Sequence, residues 1–261
     1  LGDVYKRQHF RFRLGELVGI DRDKKEIQVA PYIDESGELV TPTQAIPYDT
    51  LVISIGSLTN DFGTQGVEQY AQRLESLGDA KRFHLRLVNA CLRAQAQTGA
   101  LAPHQLKVAI IGAGATGVEL AAELHRTTRA IISFGMDRVD PEKDLKVVLI
   151  EAAPKILPAL SERISLAAEK LLTDLGVEVK TNAKVQKVQA DKVVLADGQE
   201  IPAELIVWAA GVKAPDFLKG IGGLETNHVN QLLVLPTLQT TLDENIFAIG
   251  DCAACPWPEA N

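Results

Sequence analysis

Apolar and polar positions change rhythm along this 261-residue chain at about residue 104. Before that point, short segments at 10–14, 27–30 and 39–46 alternate or cluster as strands do. A period of two puts every second side chain on one face of a sheet, so residues 10–14 predict a half-buried strand. Residues 51–55 form a near-continuous apolar run that stops at Gly56-Ser57. That pattern predicts a strand buried on both faces. From Asp79 onward, Ala80, Phe83, Leu87, Ala90, Cys91 and Ala94 recur every three or four positions. This spacing predicts a helix, with Asp79 as its N-cap and Gly99 as its stop. Cys91 falls on the buried stripe, which accounts for it more simply than a reactive thiol would.

Residues 101–104 read as a linker, and beyond them strands and helices alternate. Strands are expected at 107–111, 146–150 and 177–180, and helices at 115–133 and 161–175. The second helix carries Ile164, Ala168, Leu171 and Leu175 on one face, with Gly176 at its end. A β-α-β-α-β order calls for a parallel sheet with helices packed on it. Residues 193–196 followed by Asp197-Gly198 predict a hairpin. Two more apolar strands follow, at 206–209 ahead of Gly211 and at 246–249 ahead of Gly250-Asp251. The fold class expected is α/β. A Rossmann-like domain is expected at 104–230, with residues 1–103 and 231–261 outside it and antiparallel strands among them.

Composition narrows the function. Apolar residues make up 46% and charged residues 23%, enough for a real core. The formal net charge of −7 and pI near 5.3 argue against a nucleic-acid partner. No run is apolar enough to cross a bilayer, and residues 1–13 lack the sustained apolar stretch of a signal peptide. Three cysteines make no secreted disulfide framework, so a reducing, cytoplasmic setting is the default. No Ser/His/Asp set or metal-binding cluster is evident, and the five histidines are scattered. The chain starts without Met and stops abruptly after Cys-Pro-Trp-Pro-Glu-Ala-Asn. It reads as a fragment, with residues 1–8 as foreign sequence.

The chemistry concentrates at Gly112-Ala113-Gly114-Ala115-Thr116-Gly117, a G-x-G-x-x-G turn placed between an apolar strand and a helix. Gly112 permits the tight turn. Gly114 lets backbone approach a diphosphate, and Gly117 lets helix and strand pack closely. The helix N-terminus, with Thr116 in its first turn, offers free N–H groups to the phosphates. A carboxylate that accepts from the adenosine ribose should follow about 20 residues on. Asp137 has that spacing but no convincing strand before it. Glu151 ends the strand at 146–150 and is the residue expected to fill the role. A carboxylate there repels a 2′-phosphate, which favours NADH over NADPH.

Ile249-Gly250-Asp251 brings another glycine and carboxylate to the end of a strand, where α/β sheets bind ligands. In isolation it would be an ordinary strand and turn. Together with the glycine turn and Glu119, with 48–57, with Asn60-Asp61-Phe62-Gly63, with 208–215 and with 247–256, it resembles the type II NADH:quinone oxidoreductases. These are single-subunit NADH dehydrogenases within the two-dinucleotide-binding flavoprotein superfamily, and the resemblance begins near His9. It implies FAD and NADH as cofactors, a quinone as acceptor and a place in a respiratory chain. It implies that the NADH domain is inserted in the FAD domain. It places Gly56, Ser57, Gly250 and Asp251 at FAD, with Asp251 on the ribityl chain, and Gly211 on the NADH side. It puts Glu119 near the nicotinamide–flavin contact as the catalytic residue. A first-turn carboxylate favoured by the helix dipole is the plainer reading of Glu119. The resemblance further implies peripheral association of the full-length protein with the cytoplasmic side of a bacterial inner membrane. It leaves the oligomeric state open, with a homodimer as one expectation.

Departures from the family pattern matter as well. No G-x-G-x-x-G precedes Gly112, and the family's C-terminal quinone-site and membrane-associating elements have no counterpart in this sequence. The fragment is therefore expected to bind NADH better than FAD and to lack full quinone reductase activity. Cys252-Ala253-Ala254-Cys255 has the spacing of a redox pair. It follows the FAD-contacting strand instead of sitting in the NADH domain, so it is taken as structural or incidental. Alternatives are another flavoprotein reductase of the superfamily, or a non-catalytic NADH-binding protein of this fold.

Overall fold

The computed structural model describes residues 10–34, 36–133, 138–140 and 143–256. The chain forms two compact units, one from 1–58 with 213–261 and one from 59–212. These limits differ from 103/104 and 230/231, and packing explains why. Phe83 and Leu87 are buried among Val108, Ile110 and Val207, so the helix carrying them belongs with the parallel sheet. Ala214, Leu218, Ile221 and Leu224 are buried with Ile246 and Ala248, so residues 214–224 belong to the first unit.

The first unit opens with an antiparallel sheet of β1 (Leu17–Asp21), β2 (Glu26–Val29) and β3 (Gln44–Pro47). Residues 10–14 form no strand, and Phe10, Phe12 and Leu14 are exposed. The apolar run at 51–55 yields the short strand β4 (Leu51–Ile53). Ile53 is buried, yet Val52, which points to the opposite face, is 53% exposed, so β4 is covered on one face only.

The second unit begins with a one-turn helix α1 (Val67–Tyr70) and the long helix α2 (Leu77–Ala96). The N-cap of α2 is Ser76, three residues before the expected Asp79. Ser76 Oγ accepts from the Asp79 amide at 3.1 Å and donates back to Asp79 Oδ2 at 2.7 Å. Asp79 is therefore the N3 partner of a reciprocal cap, which satisfies helix-end groups that would otherwise lack partners. The helix ends at Gln97, ahead of Gly99. Cys91 is fully buried, and burial pushes its thiol pKa up, as a core residue requires.

Four parallel strands follow: β5 (Lys107–Ile111), β6 (Lys146–Ile150), β7 (Glu178–Lys180) and β11 (Leu205–Trp208), in the order β7-β6-β5-β11. Between β7 and β11 lies an antiparallel sheet of β8 (Val185–Val188), β9 (Lys192–Leu195) and β10 (Glu200–Pro202). Helices α3 (Ala115–Ser133) and α4 (Glu162–Asp174) connect the parallel strands. Successive side chains on a strand point to opposite faces. Accordingly Ile111, Ile150 and Trp208 pack with Val185, Val193 and Ile201 of the antiparallel sheet. Val108, Ile110, Leu149 and Val207 pack with Phe83, Leu124 and Leu172 of the helices. Both faces are covered, which is why these strands read as unbroken apolar runs.

The stripe of α4 formed by Ile164, Leu171 and Leu175 is exposed, and Ser165 and Leu172 point into the core instead. Gly176, at φ +83°, ends the helix as expected: its amide bonds Thr173 O and the Val177 amide bonds Leu172 O. The chain then returns to the first unit. There β12 (Gln239–Thr240) pairs antiparallel with β13 (Asp243–Ala248), and β13 pairs parallel with β4. No described helix is long and apolar enough to cross a membrane.

Candidate functional site

The carboxyl ends of β5, β6 and β11 open onto a crevice of about 760 Å³ in the second unit. The three glycines of the turn do three different things there. Gly112 sits at φ +103°, and a Cβ on it would lie 2.6 Å from Ala210 backbone. A Cβ on Gly117 would lie 1.9 Å from Gly112 O, so helix and turn meet at a distance only glycine allows. A Cβ on Gly114 would meet nothing within 4 Å. The space over Gly114 is thus open, a cradle that a side chain would fill. The amides of Gly114, Ala115 and Thr116 have no hydrogen-bond partner among the described residues, and they begin α3. An anion placed there gains those amides and the positive end of the helix dipole.

Glu151 stands at the end of β6 and lines the same crevice. Its Oε2 accepts from the Ala113 amide at 2.7 Å and its Oε1 from the Ala153 amide at 2.9 Å. Both oxygens are held, which fixes the carboxylate while leaving lone pairs for ligand hydroxyls. Asp137, the other candidate for the ribose, lies outside the described residues.

The far wall comes from β11 and from residues 60–63. The Trp208 indole N–H donates to Asn60 O at 2.9 Å and Ala210 O at 3.1 Å. Asn60 Oδ1 accepts from the Phe62 amide at 3.0 Å, a tight turn that leaves the Phe62 ring 68% exposed on the crevice wall. Gly211, at φ +66°, closes this end, where a Cβ would lie 2.4 Å from Phe62 Cζ.

The crevice thus gathers Gly112, Gly114, Thr116, Glu151 and Gly211, with Gly117 buried beneath the turn. Glu119 is not among its lining residues. It is exposed on α3 and follows the helix's first turn, because α3 starts at Ala115. The first-turn dipole reading of that carboxylate therefore falls away. Phe62, Pro158, Ala183, Lys184 and Val185 also line the crevice and were not singled out as site residues. Phe62 had a signal in the Asn60–Gly63 motif. The others lack one, since they are brought in by the loop after α3–β6 and by the start of the antiparallel sheet.

A second cluster lies wholly within the first unit. Ser57 Oγ donates to Asp251 Oδ2 at 2.8 Å, joining the ends of β4 and β13. Gly56 and Gly250 sit at φ +72° and +74° with nothing within 4 Å of an added Cβ. Gln231 Nε2 holds Asp251 O at 2.9 Å. Cys252 is buried, with its thiol on Ile249 O, whereas Cys255 is exposed; both are free.

The model of the pyridine nucleotide-disulphide oxidoreductase family matches residues 4–260. The chain belongs to that family. Among oxidoreductases of this kind, a type II NADH:quinone oxidoreductase of Haemophilus influenzae is 41% identical over 95% of the chain and 59% of its own length. The NdhA type II NADH:quinone oxidoreductase of Mycobacterium tuberculosis is 28% identical over 96% of the chain and 53% of its length. The chain thus spans somewhat over half the length of these relatives. The structure of NDH2 from Plasmodium falciparum in complex with NADH superposes with a TM-score of 0.73. It shares 22% identity, covering 92% of this chain and 50% of that one. It shows the pyridine nucleotide-disulphide oxidoreductase fold, an α/β architecture with parallel and antiparallel sheets.

Proposed function

We propose that this chain is part of a type II NADH:quinone oxidoreductase, and that its second unit binds NADH. The observation that carries this reading is the open cradle at Gly114 beside a carboxylate locked to the turn's own amide. The residues fit the dinucleotide. The diphosphate would rest on the amides of Gly114, Ala115 and Thr116. Glu151 would accept from the adenosine ribose and disfavour a 2′-phosphate. Gly211 and Phe62 would bound the opposite end. The identity to the Haemophilus influenzae enzyme supports the assignment to this branch of the family.

The first unit is proposed as the FAD side, with Gly56, Ser57, Gly250 and Asp251 near the flavin. The exposed Asp251 carboxylate, steadied by Ser57 while Gln231 holds the same residue's backbone carbonyl, suits hydroxyls of the ribityl chain. When bound, nicotinamide and flavin supply the redox chemistry, with a quinone as acceptor. The protein's own work is to bind, orient and shield. Glu119 is proposed to act near the reacting rings. Reduction of a lipid-soluble quinone requires access to a bilayer, which supports peripheral attachment at the cytoplasmic face of a bacterial inner membrane. A homodimer completes the proposal.

The test is steady-state NADH oxidation with a soluble quinone by the protein that carries this chain, together with its Gly114→Val variant. Quinone-dependent turnover that the variant loses while keeping its flavin is the expected result. A flavin-loaded protein that leaves NADH untouched would sink the reading.

A further inference from the structure

Only two charged side chains line the crevice among the described residues, Glu151 and Lys184. The rest of its lining is apolar, glycine or threonine. Some of the unit's other lysines are ion-paired, Lys170 with Asp174, Lys180 with Glu178 and Lys192 with Glu200. Lys184 is exposed and has no ion-pair partner among the described residues, Glu151 included. Yet the two belong to the same end of the crevice. The Ala183 amide donates to Glu151 O at 2.8 Å, so Lys184 follows directly on the residue joined to the end of β6. Its own carbonyl accepts from the Ala196 amide at 2.8 Å, which holds the backbone and leaves only the long side chain to move.

The two charges differ in freedom. Glu151 is tied by both oxygens and cannot swing aside for an incoming anion. A lysine on a four-carbon stem can reach toward one. We propose that Lys184 is a specificity-determining residue of this crevice, its ammonium receiving a phosphate on the 2′ position of the adenosine ribose. This rests on the dinucleotide reading given above. Nucleotide choice is then set by two opposed charges: Glu151 favours NADH, and Lys184 limits the penalty against NADPH so that the phosphorylated form is still admitted.

The experiment measures dissociation constants of NADH and NADPH for the folded chain and for three variants. Lys184→Ala raises the constant for NADPH about three- to fivefold, the size of an exposed ion pair, and leaves that for NADH unchanged. Lys184→Arg keeps the wild-type ratio, and Glu151→Gln shifts the ratio toward NADPH. Added salt narrows the gap between wild type and Lys184→Ala. Equal weakening of both nucleotides in Lys184→Ala would put the ammonium on the shared diphosphate and overturn the proposal, as would no change in either. A folded wild-type chain that binds neither nucleotide overturns the dinucleotide reading and this proposal together. A failure confined to the Lys184 variants leaves the dinucleotide reading standing.

Discussion

The Ala113 amide donates to Glu151 Oε2 at 2.7 Å, a bond between the glycine turn after β5 and the last residue of the run through β6. The carboxylate thus belongs to the turn's own structure as well as to the crevice. Glu151→Ala removes the acceptor from two backbone amides. It is expected to lower stability by about 1–2 kcal/mol and to weaken NADH binding at least tenfold. Urea denaturation and nucleotide titration measure the two effects. Full NADH affinity in this variant would mean the ribose is held elsewhere.

Gly114 and Gly117 should separate binding from folding. Gly114→Ala meets open space, so its melting temperature stays near wild type while nucleotide binding falls sharply. Gly117→Ala drives a Cβ into Gly112 O and loses about 1–3 kcal/mol as the helix is forced off the turn. Thermal melts of the two variants side by side decide it, and an equal loss of stability in both would contradict the division of roles.

Leu149 is fully buried beneath the helices of the second unit. Leu149→Ala leaves a void that neighbouring strands cannot close, at a cost of about 2–5 kcal/mol. A shift of the denaturation midpoint with unchanged slope is the expected readout.

Asp243 anchors Arg22, whose Nε donates to Oδ2 at 3.0 Å. Burial by itself raises the Asp243 pKa, but the Asn245 amide and the Arg22 guanidinium outweigh it and hold the pKa below the usual range. A lowered folded-state pKa gives stability that is present above the unfolded value, about 3.9, and lost as pH falls through the folded value. Asp243→Asn should therefore be less stable than wild type at neutral pH, with the gap shrinking below about pH 4. Melting curves across that range check the sign, and a gap that widens in acid would reverse it.

Alkylation of the native protein should distinguish the cysteines. Cys255 is exposed, while Cys91 and Cys252 are buried. Iodoacetamide is expected to label Cys255 first, with the other two reacting only after denaturation. Rapid labelling of Cys252 in the folded protein, read by mass spectrometry, would contradict the structural reading of that thiol.

What the sequence reveals here depends on how local the cause is. The turn at Gly112–Gly117, the hairpin at Asp197-Gly198 and the stop at Gly176 are set by a few neighbouring residues, and each forms where expected. The apolar runs of β5, β6 and β11 are legible because both faces are covered. Failures occur where the outcome depends on a distant partner. Residues 10–14 have strand alternation but no strand forms. β8 escapes notice because four residues, Val185-Gln186-Lys187-Val188, are too few to show a period. Lys184 could not be found, since nothing near it in sequence marks it as a neighbour of Glu151. The hydrogen bond from Ser57 to Asp251 has no sequence signal either, because no local pattern joins residues so far apart.

The parallel pairing of Leu51 with Ile246 and Ile53 with Ala248 has a consequence for biogenesis. As the ribosome delivers the chain, β4 is made before β13 and must wait for that partner until the whole of 59–212 has been made. Those intervening residues can collapse first around their own cores, since their strands find one another within the stretch already synthesised. Until β13 arrives, the edge of β4 that β13 will cover stays open to wrong pairing. A pause or truncation in translation just before residue 243 would therefore endanger the early strand more than the finished insert.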